Sequence, residues 1–200
     1  MTAARYSGHM VSPVRRRATY EDVLAAPPDR VAEIIGGELR VSPRPAGPHA
    51  LVASVLGEVL GPPFRRGRGG PGGWILLDEP ELHLGNDIVV PDLAGWRRER
   101  LPAVADVAYF ELAPDWVCEV LSKSTEKSDR AEKLAIYAAA GVNHAWLIDP
   151  LVRTLEVLRR QAPHWLAIGA HKDDDRVCAE PFEAIELELA VLWADLAPVG

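Results

Sequence analysis

The chain has 200 residues, of which 48% are hydrophobic and 26% are charged, the balance of an ordinary globular protein. This length suits one domain with a sizeable core, and the composition excludes extensive disorder. The net charge of −7 argues against indiscriminate binding of nucleic acid, because affinity for a phosphate backbone comes mostly from clustered lysine and arginine. No apolar run approaches the roughly 20 residues that span a bilayer, and no apolar signal core follows the first basic residues. We therefore expect a cytoplasmic protein that does not enter a membrane.

Two cysteines and two arginine clusters refine this interpretation. Cys118 and Cys178 lie far apart in apolar runs, which favours neither a disulfide framework nor a zinc site and agrees with a reducing compartment. Arg65-Arg66-Arg68 in a glycine-rich stretch and Arg97-Arg98-Arg100 after a strand-like run make the charge locally positive. Such clusters either contact phosphate groups or are simply solvated, since the local field matters more than the sum of charges.

The N-terminal part predicts a leader, a short helix, a hairpin and a longer helix. Residues 1–17 are predicted to be a flexible leader, and a helix is predicted to begin at Thr19 and to end before Pro27. The remaining residues, 18–200, contain no internal repeat and are predicted to form a single domain. The runs VAEII and ELRVSP, joined by two glycines that suit a tight turn, predict a hairpin. Apolar residues at helical spacing from Pro48 to Leu60 predict a core-facing helix.

The rest of the chain predicts a mixed α/β order. The segment GPPFRRGRGGPGG predicts a surface loop without regular structure, and WILLDEPELHL and DIVVPDLAGW predict two strands. DWVCEVLS is apolar on both faces except at one glutamate and predicts a strand of a central sheet. SDRAEKLAIYAAAG predicts a helix that Asp129 caps, that Glu132 supports as in a capping box and that Gly141 ends. HAWLIDP and TLEVLRR predict two further strands around a turn at Pro150, before an acidic loop and a last strand–helix piece, IELELAVLWADL.

Three side chains in these segments suggest chemistry. Glu119 interrupts an apolar strand, where burial of an unpaired carboxylate is costly, so either a cation meets it or it occupies a solvated edge. Asp92 follows a proline in a strand-like run, and proline there indicates an edge or a bend. Two such carboxylates, with carbonyl oxygens and water, would suit a hard cation such as Mg²⁺ or Mn²⁺. Lys133 on the next helix could return to that point to orient or deprotonate a water and stabilise phosphate charge, or it is a solvated lysine.

Four stretches in order resemble the Uma2 family of restriction-endonuclease-like proteins, a branch of the PD-(D/E)XK nuclease superfamily. They are AEIIGGELRVSPRPAGPH, VVPDLAGW, DWVCEVLSKST and DRAEKLAIYAAAGVNHAWLIDP, and the likeness runs from about Thr19 to the C-terminal region. The resemblance implies an α/β fold with a central mixed β-sheet flanked by helices. It also implies that Asp92 and Glu119 are Mg²⁺ or Mn²⁺ ligands and that the backbone carbonyl of Val120 is the third metal ligand that the protein supplies.

The resemblance also guides the choice of lysine. The superfamily usually places its lysine two residues after the glutamate, but this chain has Leu121 there. The family likeness points to Lys133 as the replacement, with Lys123 as its rival. Glu33 and His49 match further polar positions of the family: Glu33 would add a ligand or hold a metal-bound water, and His49 would contact phosphate. The alternatives are an exposed strand carboxylate and a histidine in a helix-capping region.

These observations lead to one main functional hypothesis and two rivals. The main hypothesis is hydrolysis of DNA phosphodiester bonds by a metal-dependent endonuclease, in which a homodimer would suit cutting of both strands. The first rival is a catalytically silent module that binds nucleic acid or a protein partner through the same fold. The second is a metal-dependent hydrolase of smaller phosphoesters, although the sequence contains no nucleotide-binding signature.

Overall fold

A computed structural model describes residues 16–197 of the chain. Most of the leader that was predicted for residues 1–17 therefore lies outside the described residues. Its last two residues, 16 and 17, are described, and Arg16 donates a hydrogen bond to Asp22 at 2.8 Å. The predicted first helix is present as α1 (Tyr20–Leu24), and the Asp22 carboxylate accepts a hydrogen bond from the backbone N–H of Thr19 at its N-terminus.

The described residues contain helices, two π-helical segments and strands. The helices after α1 are α2 (Gly47–Leu60), α3 (Glu126–Ser128), α4 (Leu134–Ala140) and α5 (Ala190–Trp193), and the π-helical segments are Gly61–Arg65 and Asp129–Lys133. The strands are β1 (Arg30–Ile35), β2 (Glu38–Pro43), β3 (Trp74–Asp78), β4 (Leu82–Leu84), β5 (Asp87–Val89), β6 (Leu93–Arg97), β7 (Trp116–Val120), β8 (His144–Asp149), β9 (Thr154–Gln161), β10 (His164–Lys172), β11 (Arg176–Val177) and β12 (Leu187–Glu188).

A six-stranded mixed sheet forms the centre of the fold, in the order β10-β9-β8-β7-β6-β3. Its neighbours are antiparallel except β7 and β8, which are parallel and are joined through α3 and α4. Two neighbouring parallel strands need such a crossover, because the chain must return to the starting end of the sheet before the second strand begins. All five residues of β7 are buried, as the apolar run predicted. The predicted fold class, a central mixed sheet flanked by helices, is confirmed.

A smaller four-stranded sheet, in the order β2-β1-β5-β4, packs beside the central one. The predicted hairpin is its β1–β2 pair, and Gly36 and Gly37 both have positive φ angles (63° and 83°), as a tight hairpin turn requires. The prediction of two long strands for WILLDEPELHL and DIVVPDLAGW is wrong, because each run breaks at a proline and becomes two strands. Pro80 and Pro91 have no N–H to donate to a neighbouring strand, so each run is interrupted there. β3 and β6 pair in the central sheet, whereas β4 and β5 pair in the smaller one.

The glycine-rich stretch after α2 is not wholly irregular, contrary to the prediction. Gly61–Arg65 continues α2 as a π-helical turn in which the N–H of Arg66 donates to the carbonyl of Gly61 at 3.1 Å. Two successive prolines lack the N–H groups that an α-helix would use here, and the α-helical pattern changes to a wider turn at this point. The turn also buries Phe64, whose ring packs against Phe182 with centroids 4.6 Å apart.

The helix between β7 and β8 begins earlier than predicted, and Asp129 does not cap it. It starts with α3 after Thr125, passes through the π-helical segment Asp129–Lys133 and ends with α4 at Gly141, whose φ is 90°. Asp129 is buried and lies 3.7 Å from Lys133, so its carboxylate is used for a charge contact rather than for a cap. Glu132, predicted to complete a capping box, instead accepts a hydrogen bond from Ser128.

Strand β10 is missing from the sequence prediction. It pairs antiparallel with β9 and forms an edge of the central sheet. The register shifts between Ala167 and Gly169, so the alternation of apolar and polar residues is interrupted. Most of its side chains are exposed or half-buried, and an edge strand of this kind carries little of the pattern that identifies a buried strand.

The two faces of the central sheet carry separate cores. One face packs against α2, α5 and Phe182 through the tryptophan residues Trp74, Trp116 and Trp146. The other packs against α4 and the smaller sheet, and it includes Val117, Leu134 and Tyr137. The predicted core positions of the helix after β7 are confirmed, since Leu134, Tyr137 and Ala138 are buried. Within residues 16–197 no helix is both long enough and apolar enough to cross a bilayer.

Candidate active site

A cleft of about 370 Å³ lies where the smaller sheet, the start of α2, the end of β7 and the segment Asp129–Lys133 meet. Asp92, Glu119 and Lys133 all line it, together with Glu33 and His49. Val31, Ile35, Arg40, Ser42, Pro43, Arg44, Pro45, Ala46, Glu79, Val90, Ser122, Ser124, Thr125, Ser128 and Asp129 complete the lining. The side chains that the sequence singled out from separate segments therefore share one cavity.

Glu119 is a buried carboxylate with two partners from the following helix. Side chains alternate along β7, so Glu119 shares with Val117 the face that α4 covers. Its carboxylate lies 2.9 Å from Nζ of Lys133, and its Oε1 accepts a hydrogen bond from the hydroxyl of Tyr137 at 2.5 Å. A cation and a hydroxyl thus meet the buried charge, and the alternative of a solvated edge position does not apply.

Lys133 lies among oxygen atoms from four segments of the chain. Its Nζ donates to Glu119 and, at 3.1 Å, to the carbonyl of Val90, and it lies 3.2 Å from Glu33 and 3.7 Å from Asp129. Burial disfavours the charged ammonium, but the surrounding carboxylates outweigh that effect and raise the pKa of Lys133 well above its ordinary value of 10.5. The amine is therefore protonated at neutral pH, and the alternative of a solvated helix lysine does not apply.

Asp92 lies just beyond Pro91, at the bend that separates β5 from β6. Its Oδ2 accepts a hydrogen bond from the backbone N–H of Val120 at 2.7 Å and lies 3.2 Å from Nε2 of His49. The N–H and C=O of one residue in an extended strand point to the same edge. The carbonyl of Val120 is consequently directed to the Asp92 side of β7, whereas the N–H of Leu121 donates to Ile148 on the other side at 2.7 Å.

Glu33 and His49 both reach the cleft. Oε1 of Glu33 accepts a hydrogen bond from the N–H of Val90 at 2.9 Å as well as contacting Lys133, so it is not an exposed strand carboxylate. His49 is buried in the first turn of α2, and its Nδ1 has no hydrogen-bond partner within the described part of the chain. The contact with Asp92 makes His49 a member of the site rather than a capping residue.

Lys123 and the two arginine clusters lie elsewhere. Lys123 is exposed and does not line the cleft. The rest of α2 and the π-helical turn after it separate His49 from Arg65-Arg66-Arg68 by roughly 20 Å. Strand β6 leads away from the cleft toward Arg97-Arg98-Arg100. Both clusters therefore lie away from the cleft, because the elements that carry them run from the cleft to the opposite end of the sheet.

The sequence analysis missed several residues of the site. Asp129 and Tyr137 both belong to it, and they share with Lys133 a spacing of four residues that places helix side chains on one face. That spacing was the available signal. Arg40 and Arg44 also line the cleft, where Arg40 lies 3.0 Å from Glu132 and Arg44 lies 2.7 Å from Glu79. No sequence signal indicated these two arginines, because they come from a hairpin that is distant in the chain.

The charges in the cleft are unbalanced. Among the described lining residues, five carboxylates face three cationic side chains. The carboxylates belong to Glu33, Glu79, Asp92, Glu119 and Asp129, and the cations to Arg40, Arg44 and Lys133. Burial raises the pKa of Glu119 well above its ordinary value and raises the pKa of Asp129. An excess of buried negative charge is favourable only with more cations or protons nearby. The arrangement thus has the charge and the oxygen donors that a divalent cation needs.

The number of side-chain ligands is small. Among the residues that the structure describes, no group of three or more histidine, cysteine, aspartate or glutamate side chains is arranged to hold a metal ion. Mg²⁺ is commonly bound through one or two carboxylates, with waters and substrate phosphates as its other ligands. Asp92, Glu119 and the Val120 carbonyl fit that smaller donor set.

Comparisons with known proteins agree with this architecture. Residues 17–192 match the model of the Uma2 family, described as "Putative restriction endonuclease". The crystal structure of a "putative nuclease belonging to DUF820" from Anabaena variabilis ATCC 29413 is similar, with a TM-score of 0.68 and 24% sequence identity over 88% of this chain and 98% of that chain. At this identity the likeness establishes the fold alone, and a comparison with curated proteins found no match. Because the family model spans most of its length, the chain belongs to the Uma2 family.

Proposed function

We propose that the protein is a metal-dependent endonuclease that hydrolyses phosphodiester bonds of DNA at this cleft. The observation that carries the proposal is the convergence of Asp92, Glu119 and Lys133 on one cavity. Membership of a restriction-endonuclease family and the fold of a nuclease-like neighbour support the same reaction class. The buried excess of carboxylates adds a physical reason for a divalent cation.

Asp92, Glu119 and the carbonyl of Val120 are the proposed ligands of Mg²⁺ or Mn²⁺. When bound, such an ion supplies Lewis-acid polarisation of a phosphate and lowers the pKa of an attacking water. Each carboxylate oxygen has two lone pairs, so Glu119 can accept hydrogen bonds from Lys133 and Tyr137 and still offer a lone pair. Asp92 likewise keeps acceptor capacity beyond its bond from the Val120 N–H.

The protein's own groups prepare the site for a charged substrate. Lys133 is protonated and its contacts with Val90, Glu119 and Glu33 engage its N–H groups, so we propose that it stabilises negative charge rather than removing a proton from water. Tyr137 holds Glu119 in one orientation. His49 contacts the same Asp92 oxygen that the Val120 N–H binds.

A second candidate function is a silent nuclease-fold module that binds nucleic acid or a protein without cutting. One observation favours it: Arg40, Arg44 and Lys133, the arginine and lysine residues that line the described cleft, are each paired with a carboxylate. A groove of this kind offers little free positive charge to a phosphate backbone.

Cleavage of plasmid DNA by purified protein with Mg²⁺ or Mn²⁺, with chelator as the control, tests the proposal. Asp92→Ala should lower the metal-dependent rate by at least about 100-fold, because it removes a proposed ligand. Asp106→Ala, which alters an exposed aspartate away from the cleft, should leave the rate unchanged. Melting temperatures of both variants establish that they are folded.

The results separate the two functions. Cleavage that persists in Asp92→Ala would remove this residue from the mechanism. Binding of DNA without cleavage in either metal would favour the silent module.

A further inference from the structure

A second pocket, of about 270 Å³, lies at the end of the central sheet opposite the cleft. Arg97, Arg159, Arg160 and His144 line it beside Trp74. Five residues separate Asp92 at the cleft from Arg97 in this pocket, which corresponds to about 17 Å of extended strand. The two cavities therefore cannot share one small ligand.

Two arginines of this pocket carry charges that no described carboxylate neutralises. The guanidinium of Arg97 stacks on the ring of Trp74, 4.3 Å from its centroid, and no carboxylate of residues 16–197 forms an ion pair with it. Arg160 contacts Asn143 at 3.4 Å, but its Nε is buried and has no hydrogen-bond partner in the described part of the chain. A buried N–H without an acceptor is unfavourable, and an oxygen of a bound anion would supply the acceptor.

Asp115 lines the pocket and Glu180 lies next to it, and both carboxylates already have partners. The Asp115 carboxylate accepts a hydrogen bond from the backbone N–H of Arg97 at 2.8 Å and pairs with Arg100 at 2.8 Å. Glu180 contacts both His144 and Arg159 at 3.1 Å. These contacts leave the positive charges of Arg97 and Arg160 available to a ligand.

The arginine clusters found in the sequence extend the same surface. The stretch that carries Arg65, Arg66 and Arg68 returns to β3 at Gly73, whose carbonyl accepts a hydrogen bond from the N–H of Arg98 at 2.9 Å. All four of these arginines are exposed, and none forms an ion pair with a described carboxylate. In contrast to the cleft, this end of the sheet presents guanidinium groups that are not neutralised.

We propose that this pocket is a phosphate-binding site and that, with the exposed arginines around it, it binds the backbone of nucleic acid apart from the cleft. Guanidinium groups bind phosphate oxygens through two parallel hydrogen bonds, and arginine is the cation used throughout this surface. The choice of nucleic acid over other phosphate-bearing macromolecules rests on the proposed function, whereas the phosphate chemistry rests on the pocket itself.

The test measures binding of a fluorescent DNA duplex of about 20 base pairs to the full chain at several salt concentrations, in chelator. The variant is Arg97→Gln with Arg160→Gln. The control is Arg30→Gln with Arg176→Gln, which removes the same charge from two exposed arginines that are paired with carboxylates outside both cavities. Loss of two phosphate contacts should weaken binding roughly tenfold and lower the slope of log K against log salt by about 2, while the control stays near wild type.

Each outcome decides the proposal. Equal affinities and slopes for the variant and the control would overturn it, as would arginine-dependent binding to phosphatidylserine vesicles without binding to DNA. If the double variant does not fold, Arg66→Gln with Arg98→Gln tests the same surface through exposed side chains. Because the assay needs neither metal nor cleavage, an inactive cleft leaves this proposal standing, and lost binding leaves the cleavage test interpretable.

Discussion

Replacement of Lys133 by methionine should cost more stability than any other single change in the cleft. The substitution keeps an unbranched apolar stem and removes the ammonium that lies 2.9 Å from Glu119, 3.2 Å from Glu33 and 3.7 Å from Asp129. Lys133 and Glu119 are only 5% and 3% exposed, so water cannot replace the lost partner. Removal of one member of a buried ion pair costs about 3–5 kcal/mol, and three carboxylates lose their partner here.

Urea titration and thermal melting measure this cost. In a protein of this size each 1 kcal/mol of lost stability lowers the melting temperature by about 2–4 °C, so Lys133→Met should melt about 6–20 °C below wild type. Lys123→Met is the matched control, because it removes an exposed lysine and should change the free energy of unfolding by less than about 0.5 kcal/mol. The cleavage rates of the same two variants would separate the two lysines that the sequence left as rivals for the catalytic role.

A second substitution identifies the origin of the loss. Glu119→Gln in the Lys133→Met background removes one of the carboxylates left without a cation, and it should recover part of the lost stability. The reasoning fails if Lys133→Met melts within about 2 °C of wild type, since a buried charge cluster would then contribute little to the fold. It also fails if the double variant loses as much stability as the two single variants lose together.

Three further predictions concern the same part of the molecule. Tyr137→Phe removes the hydroxyl that donates to Glu119 and should lower the free energy of unfolding by about 1.5–3 kcal/mol in urea, whereas an unchanged value would show that the bond contributes nothing. Gly141→Ala should lower it by about 1–2 kcal/mol because its φ is 90°, while Gly61→Ala, at a helical φ of −59° with equally open space, should be neutral or stabilising. Mg²⁺ at about 100 times its dissociation constant should stabilise the wild type by about 2.7 kcal/mol, measured as a shift in a thermal melt. Asp92→Asn should abolish this shift, and a shift that persists would show that the aspartate is not a ligand.

Local signals in the sequence predicted the parts of the fold that depend on neighbouring residues. The two glycines between β1 and β2 identified the hairpin because glycine readily adopts the positive φ angles of its turn. The apolar periodicity identified α2. The uninterrupted apolar run identified β7 as a central strand, and the charge within it identified Glu119. These features needed no knowledge of distant residues.

The sequence failed where distant contacts decide the structure. Strand β10 owes its existence to its pairing with β9 rather than to its own alternation. The helix after β7 begins before Asp129, which resembles a cap in sequence but contacts Lys133 in the buried charge cluster. Arg40 reaches the cleft only because its hairpin packs against a helix 92 residues further along the chain. Strand pairing and burial of charge are properties of the folded chain, so no local pattern could contain them.

The acidic net charge was the strongest argument against nucleic-acid binding, and its distribution weakens that argument. The negative groups of the cleft are buried around Lys133, where the proposed divalent cation would offset them. At the other end of the sheet, Arg97 and Arg160 have no described carboxylate partner. A phosphate backbone responds to the potential within about a Debye length, roughly 8 Å at physiological salt, which is less than half of the distance between the two ends. The two ends should therefore act on a nucleic acid independently, one through a cation and the other through guanidinium groups.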